Sequence, residues 1–199
     1  MKRIRASLYD LLQYIVGAHK GRNRLAREFD ISSYESVLDL GCGNGMLLQY
    51  LRQDVAYLGL DISEARVERA RRLWPAHEFR AGDVGTLAHE AASHRFHLIV
   101  ASGLLHHLSD YQARTMLMQV LAVMEPGGAI LLVDPVFFPG QHMFSRLLCR
   151  LDAGKWVRTQ EGYKSIIPSD FRVLRQEIRD DLLYIPQSLQ VMLLTAIDS

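Results

Sequence analysis

The sequence predicts an α/β fold, a mostly parallel sheet with helices on both faces. Three observations carry that expectation. Apolar runs suited to buried strands alternate with helical patterns from Ser36 to Asp134, and such alternation demands parallel strands joined by right-handed crossovers. The first run, Val37-Leu38-Asp39-Leu40, enters the glycine-rich stretch Gly41-Cys42-Gly43-Asn44-Gly45, and a strand, tight turn and helix start together make a binding crevice in open sheets. The second run, Tyr57-Leu58-Gly59-Leu60, ends in Asp61, about 20 residues after the turn, the spacing of a carboxylate that grips a ribose diol.

Taken in order, apolar positions Leu8, Leu11, Leu12, Ile15, Leu25 and Phe29 suit helix, with a break near Gly17 to Gly21. Strands follow near 36–41, 55–60, 77–81, 95–101 and 128–134, and helices near 45–53, 63–73, 86–92 and 110–125. Ser63 suits an N-cap, although Arg66 in the first turn opposes the helix dipole. After Asp134 the pattern breaks: Pro135, Pro139, Gly140, Gly154, Gly162 and Pro168 punctuate an insertion, 135–169, with one helix expected at 141–151. Two strand-like runs, Phe171 to Arg179 and Ser188 to Ala196, close the chain as an antiparallel hairpin. The whole of 1–199 reads as a single domain, with a helical lid at 1–30.

Composition narrows the class. With 199 residues, 49% of them hydrophobic, the chain can bury a sizeable core. Its formal charge of +1 does not mark a polyanion binder. Cys42 and Cys149 have no metal-ligand spacing and suggest reduced thiols and a cytoplasmic location. No run approaches the roughly 18 apolar residues of a membrane span, so no span is expected.

The turn chemistry is more specific. A dinucleotide fingerprint would set its third glycine at the position of Met46, whereas here it falls at Gly45. Asp39, two positions before the first glycine, suits an ammonium group better than a pyrophosphate. The nonapeptide Val37 to Gly45 resembles the first motif of the class I S-adenosylmethionine (SAM) methyltransferases. The resemblance continues through Asp61-Ile62-Ser63, Ala81-Gly82-Asp83-Val84, Phe96 to Leu108 and Glu125-Pro126-Gly127-Gly128, in that order. It implies a Rossmann-like, seven-stranded sheet with one antiparallel strand, and SAM as cofactor with S-adenosylhomocysteine as product. On these positions it implies that Asp39, Gly41, Cys42 and Gly43 hold the methionyl end, Asp61 and Ile62 the ribose side, and Gly82, Asp83 and Val84 the adenine. Ser102, Gly103 and Leu104 would border the reacting end. Cys42 itself reads as a small apolar filler rather than a nucleophile.

His106 and His107 follow the fourth strand, where the methyl group should point, and either is a candidate base should the acceptor be a hydroxyl. No metal is expected, since Ser102 stands where metal-dependent members place a carboxylate. The presumptive lids are basic, with net charge +4 over residues 1–30 and +3 over 135–169, pointing to an anionic or carrier-linked small-molecule acceptor. The segment Leu151 to Tyr163 resembles a block of bacterial methyltransferases of unassigned substrate, and Arg158 and Tyr163 within it are candidate acceptor contacts. The competing readings are an NAD dehydrogenase, which the glycine spacing opposes, a SAM-binding module without methyl transfer, and an RNA-directed enzyme. Against the last, no N-P-P-Y-type motif follows the fourth strand.

Overall fold

The computed structural model describes residues 15–86, 94–152 and 154–197. Among these residues eight strands form one sheet: β1 Ser36–Leu40, β2 Ala56–Asp61, β3 Glu78–Ala81, β4 Phe96–Ser102, β5 Met124–Phe137, β6 Arg158–Thr159, β7 Phe171–Arg179 and β8 Leu189–Ala196. The order is β3-β2-β1-β4-β5-β8-β7, with the two-residue β6 paired to the end of β5. β1 to β5 are mutually parallel and β8 runs antiparallel to both β5 and β7. This is the Rossmann-like arrangement with its C-terminal antiparallel hairpin that the sequence predicts. Among the described residues five helices accompany the sheet: α1 Ala18–Glu28, α2 Glu64–Leu73, α3 Asp110–Val123, α4 Met143–Leu151 and α5 Gln160–Ser165.

Alternation along the central strands explains why both faces are covered. Leu38, Leu40, Leu58, Leu60, Ile99 and Ile130 join one apolar cluster with Met116, Leu117 and Val120 of α3. Their neighbours Val37, Tyr57, Leu98, Val100 and Leu131 join the other, with Leu25 of α1 and Val67 and Ala70 of α2. Successive strand residues point to opposite faces, so continuous apolar runs require a layer on each side. Helix α3 turns Ala113, Met116, Leu117, Val120 and Val123 inward, and Ser109 and Gln112 form a reciprocal capping box at its start.

Several elements differ from expectation. The helix expected at 45–53 is a short 3₁₀ turn, Met46–Tyr50, which Leu51 ends in extended backbone. Gly45 starts it at φ 72°, and one turn before β2 is too short for α-helix propagation. Most of the helix expected at 86–92 lies outside the described residues. The break near Gly17–Gly21 falls at Gly17 alone, whose φ is 83°. Gly21 lies inside α1, where an added Cβ would meet the Leu182 carbonyl oxygen at 2.9 Å. β5 begins before its glycine turn and continues to Phe137; register shifts between the Phe96 and Leu98 pairings, so residues 125–128 bulge out of the ladder. Ser63 occupies the N-cap without a side-chain cap bond, and the ill-placed Arg66 lies 3.8 Å from the Asp61 carboxylate.

Candidate functional site

The carboxyl ends of β1, β2 and β4 converge on the glycine turn. Gly41, Gly43 and Gly45 all have left-handed φ, at 74°, 55° and 72°, a conformation that costs other residues about 1–2 kcal/mol. The Gly41 and Cys42 amides donate to Leu60 O at 2.8 and 3.0 Å, stitching the turn to β2. The glycines differ in surroundings. A Cβ at Gly45 would meet Phe79 at 2.8 Å and Trp74 at 2.9 Å, whereas a Cβ at Gly43 would meet nothing within 4 Å. Gly45 is therefore needed for packing, while Gly43 faces open space.

Asp61 is buried at the rim of this turn. Its Oδ2 accepts from the Gly43 amide at 2.9 Å and its Oδ1 from the Ser63 amide at 2.8 Å. Ile62 beside it is 77% exposed. Asp39, buried on β1, accepts from the Tyr57 hydroxyl at 2.8 Å. Burial pushes its carboxyl up to about 6, with the Asp61 charge adding to the rise and the Tyr57 bond and the Arg22 charge opposing it. Arg22 comes from α1, which packs beside the turn: the Tyr50 hydroxyl donates to His19 O at 3.1 Å. Cys42 is buried and its thiol is pushed well up by that burial, as an apolar filler would be. On the next strand end, the Gly82 amide donates to Asp61 O, Val84 is buried, and the exposed Asp83 accepts from the Gly85 amide at 2.8 Å as a local cap.

The far side begins with exposed Ser102 and Gly103, and with Leu104 lying against Gly41. His106 is buried, 5% exposed. Its Nδ1 lies 2.6 Å from Asp134 Oδ1 and its Nε2 3.2 Å from Asp152 Oδ1. Burial pulls its pKa down, but the Asp134 bond and the charges of Asp134 and Asp152 outweigh that and the opposing Arg158 charge, leaving it above the ordinary value. His107 is exposed and its ring lies 4.1 Å from that of His106. Burial first and the His106 charge second hold its pKa below the usual value, against the pull of Asp152 and Asp134.

Arg158 and Tyr163 are brought to this side but turned inward. Arg158 is 8% exposed and its guanidinium is held on all three nitrogens. Nε donates to Asp110, Nη1 to Leu105 O and Trp156 O, and Nη2 to Leu108 O, with Nη2 also ion-paired to Asp110. Tyr163, 1% exposed, donates to Pro135 O at 2.8 Å and sits under the Arg158 guanidinium. The expectation that both face the acceptor meets a geometry in which both instead clamp the β4–α3 turn to the end of β5. Asp134 and Asp152 are the residues that sequence reasoning missed. The only signal for Asp134 was a charge ending an otherwise apolar strand.

Comparison with known proteins agrees with the turn. A family profile described as a methyltransferase domain matches residues 37–128. An uncharacterized methyltransferase of Synechocystis is 31% identical over 169 residues, spanning 81% of this chain and 76% of its own. The 27-O-demethylrifamycin SV methyltransferase of Amycolatopsis mediterranei is 33% identical over 125 residues, 59% of this chain and 44% of that protein. Human N-acetylserotonin methyltransferase, solved in complex with SAM, superposes with a TM-score of 0.69 at 19% identity, covering 90% of this chain and 52% of that one. The chain thus spans about half the length of these last two proteins. Glycine turn, strand order and relatives agree: the chain belongs to the class I SAM-dependent methyltransferases.

Proposed function

We propose that this enzyme transfers the methyl group of SAM to an oxygen or nitrogen of a small-molecule acceptor, acting as one domain. The carrying observation is Asp61. Two backbone amides use one lone pair on each of its oxygens, and a carboxylate has about four acceptor sites, so two remain for a ribose diol at the mouth of the left-handed turn. Around it, the Gly41-Cys42-Gly43 backbone and Asp39 receive the methionyl end, exposed Ile62 offers an apolar surface, and Gly82, Asp83 and Val84 flank the adenine. Ser102, Gly103 and Leu104 border the sulfonium, and exposed His107 faces the acceptor. His106, its Nδ1 held by Asp134, positions its turn. Catalysis rests chiefly on holding donor and acceptor in line.

The acceptor reading draws on two supports. The rifamycin-type relative acts on a small molecule by its name, and exposed Arg146 and Arg150 on α4, with Lys155 after it, leave positive charge beside this edge of the sheet for an anionic or carrier-linked acceptor. Of the other basic residues, Arg158 is internal and Arg24 pairs with Asp181. Among the described residues no helix is long and apolar enough to cross a membrane, and two free, buried thiols suit a cytoplasmic setting. Calorimetry with S-adenosylhomocysteine tests the core of the proposal. Asp61→Asn should weaken binding roughly 10- to 150-fold, since a hydrogen bond to a charged group is worth about 1.5–3 kcal/mol. Unchanged affinity in a variant that melts like the parent would overturn the assignment.

A further inference from the structure

The geometry points to a binding site for a divalent transition-metal ion of the zinc class, formed by His106, His107 and Asp152 on the acceptor side. Their ligand atoms all lie within 4.8 Å of one another. His106 and His107 come from the short turn after β4, and Asp152 from the C-terminal end of α4, about 45 residues on. The sequence expectation of no metal rested on Ser102. It did not weigh Asp152, which the insertion brings to His106 Nε2.

Three features separate this cluster from a chance gathering of polar groups. The first is the second carboxylate. Asp134, 2% exposed, holds His106 Nδ1 at 2.6 Å and also accepts from its backbone amide at 3.1 Å. That contact leaves Nε2 turned toward Asp152, and a carboxylate behind the imidazole is how metal-ligating histidines are oriented.

The second is spacing. The His106 Nε2 to Asp152 Oδ1 separation is 3.2 Å, longer than the usual 2.7–2.9 Å of a charge-assisted hydrogen bond. Two ligands at about 2.0–2.2 Å from one tetrahedral ion are roughly 3.3 Å apart.

The third is access. His107 is exposed while His106 is enclosed, and Gly154 lies so close over the His106 ring that a Cβ there would collide with it. The ion would be walled on the His106 side and open on the His107 side.

Local charge suits a dication. Asp134 and Asp152 both lie against His106, and the nearby Arg158 charge is countered by Asp110. Two imidazoles and one carboxylate with open positions are the donor set of catalytic rather than structural sites. Given the proposed placement of SAM, on which this point rests, the open position would hold an oxygen or nitrogen of the acceptor beside the methyl group.

The test uses the untagged full chain stripped with a chelator and titrated with Co²⁺, whose visible bands report four- or five-coordinate nitrogen–oxygen sites. One equivalent should bind, and Zn²⁺ should displace it. His107→Ala and Asp152→Ala, at exposed and half-buried positions, should weaken Co²⁺ binding at least tenfold, and Asp134→Asn about 10- to 100-fold through loss of ring orientation. No visible bands in the parent, or bands of equal affinity in His107→Ala and Asp152→Ala, would overturn the site. S-adenosylhomocysteine calorimetry on the metal-free protein reads the cofactor assignment separately: retained binding with no Co²⁺ site rejects the metal alone, while lost binding with a Co²⁺ site rejects the cofactor placement.

Discussion

The two halves of the sheet's carboxyl edge are built from different materials. On the β1–β2 side the crevice is shaped by main chain: three left-handed glycines, amides donating to Leu60 O, and one aspartate accepting from two backbone N–H groups. On the β4–β5 side it is shaped by side chains from distant segments: Asp134 and Asp152 on His106, and Arg158 on Asp110 and three carbonyls. A backbone-built site tolerates change in most side chains and keeps one ligand. A side-chain-built site can be altered residue by residue, which suits the half where the acceptor must differ between relatives that share a cofactor.

The largest effect that would sharpen this contrast is expected at Arg158. Arg158→Ala leaves the carbonyls of Leu105, Leu108 and Trp156 without this donor, and since each buried unsatisfied acceptor costs about 1–3 kcal/mol, stability should fall by about 3 kcal/mol or more, read by urea unfolding. An unaltered unfolding midpoint with a raised KM would instead return Arg158 to the acceptor. Next come the glycines. Gly45→Ala should cost about 2–4 kcal/mol from left-handed strain plus overlap with Phe79 and Trp74. Gly43→Ala should cost only about 1 kcal/mol of stability while weakening S-adenosylhomocysteine binding. Equal melting of the two variants would break the distinction between packing glycine and ligand-facing glycine.

The smallest effect concerns Asp39. Its carboxyl is pushed up to about 6, and in the proposed role it would have to be ionised to hold the ammonium group of the cofactor. Affinity for S-adenosylhomocysteine should therefore be steady above pH 7 and fall about tenfold by pH 5, as protonation removes the partner. Asp39→Asn should bind weakly at every pH and lose that slope. A parent protein with flat affinity from pH 5 to 8 would remove Asp39 from the cofactor site.

The same division explains what could be read from the sequence. A backbone turn needs glycines at fixed spacing, so Gly41, Gly43 and Gly45 announce it within five residues, and Asp61 follows at a set distance. The boundaries of β1, β2 and β4 were also legible, because unbroken apolar runs mean strands buried on both faces. Asp134 and Asp152 were not legible, because each acquires meaning only from His106, 28 and 46 positions away. Arg158 was noticed for its charge, but charge alone does not tell an outward grip from an inward clamp. The extension of β5 through Pro135 was hidden for a similar reason: its proline pairs opposite Leu189 of a strand that arrives much later.

That late arrival has a cost during biosynthesis. β8 pairs with β5 along seven residue positions, from Ala129 opposite Thr195 to Pro135 opposite Leu189. The ribosome must add roughly 60 residues after β5 before β8 is complete, which takes about 3–12 s at ordinary elongation rates. Through that interval Ile130 to Val133 form an apolar strand with one unpaired edge, the kind of template that other chains add to. The nascent protein is thus most prone to associate with its own copies in the seconds before its last strand emerges, and a ribosome stalled within β7 would hold it in that state.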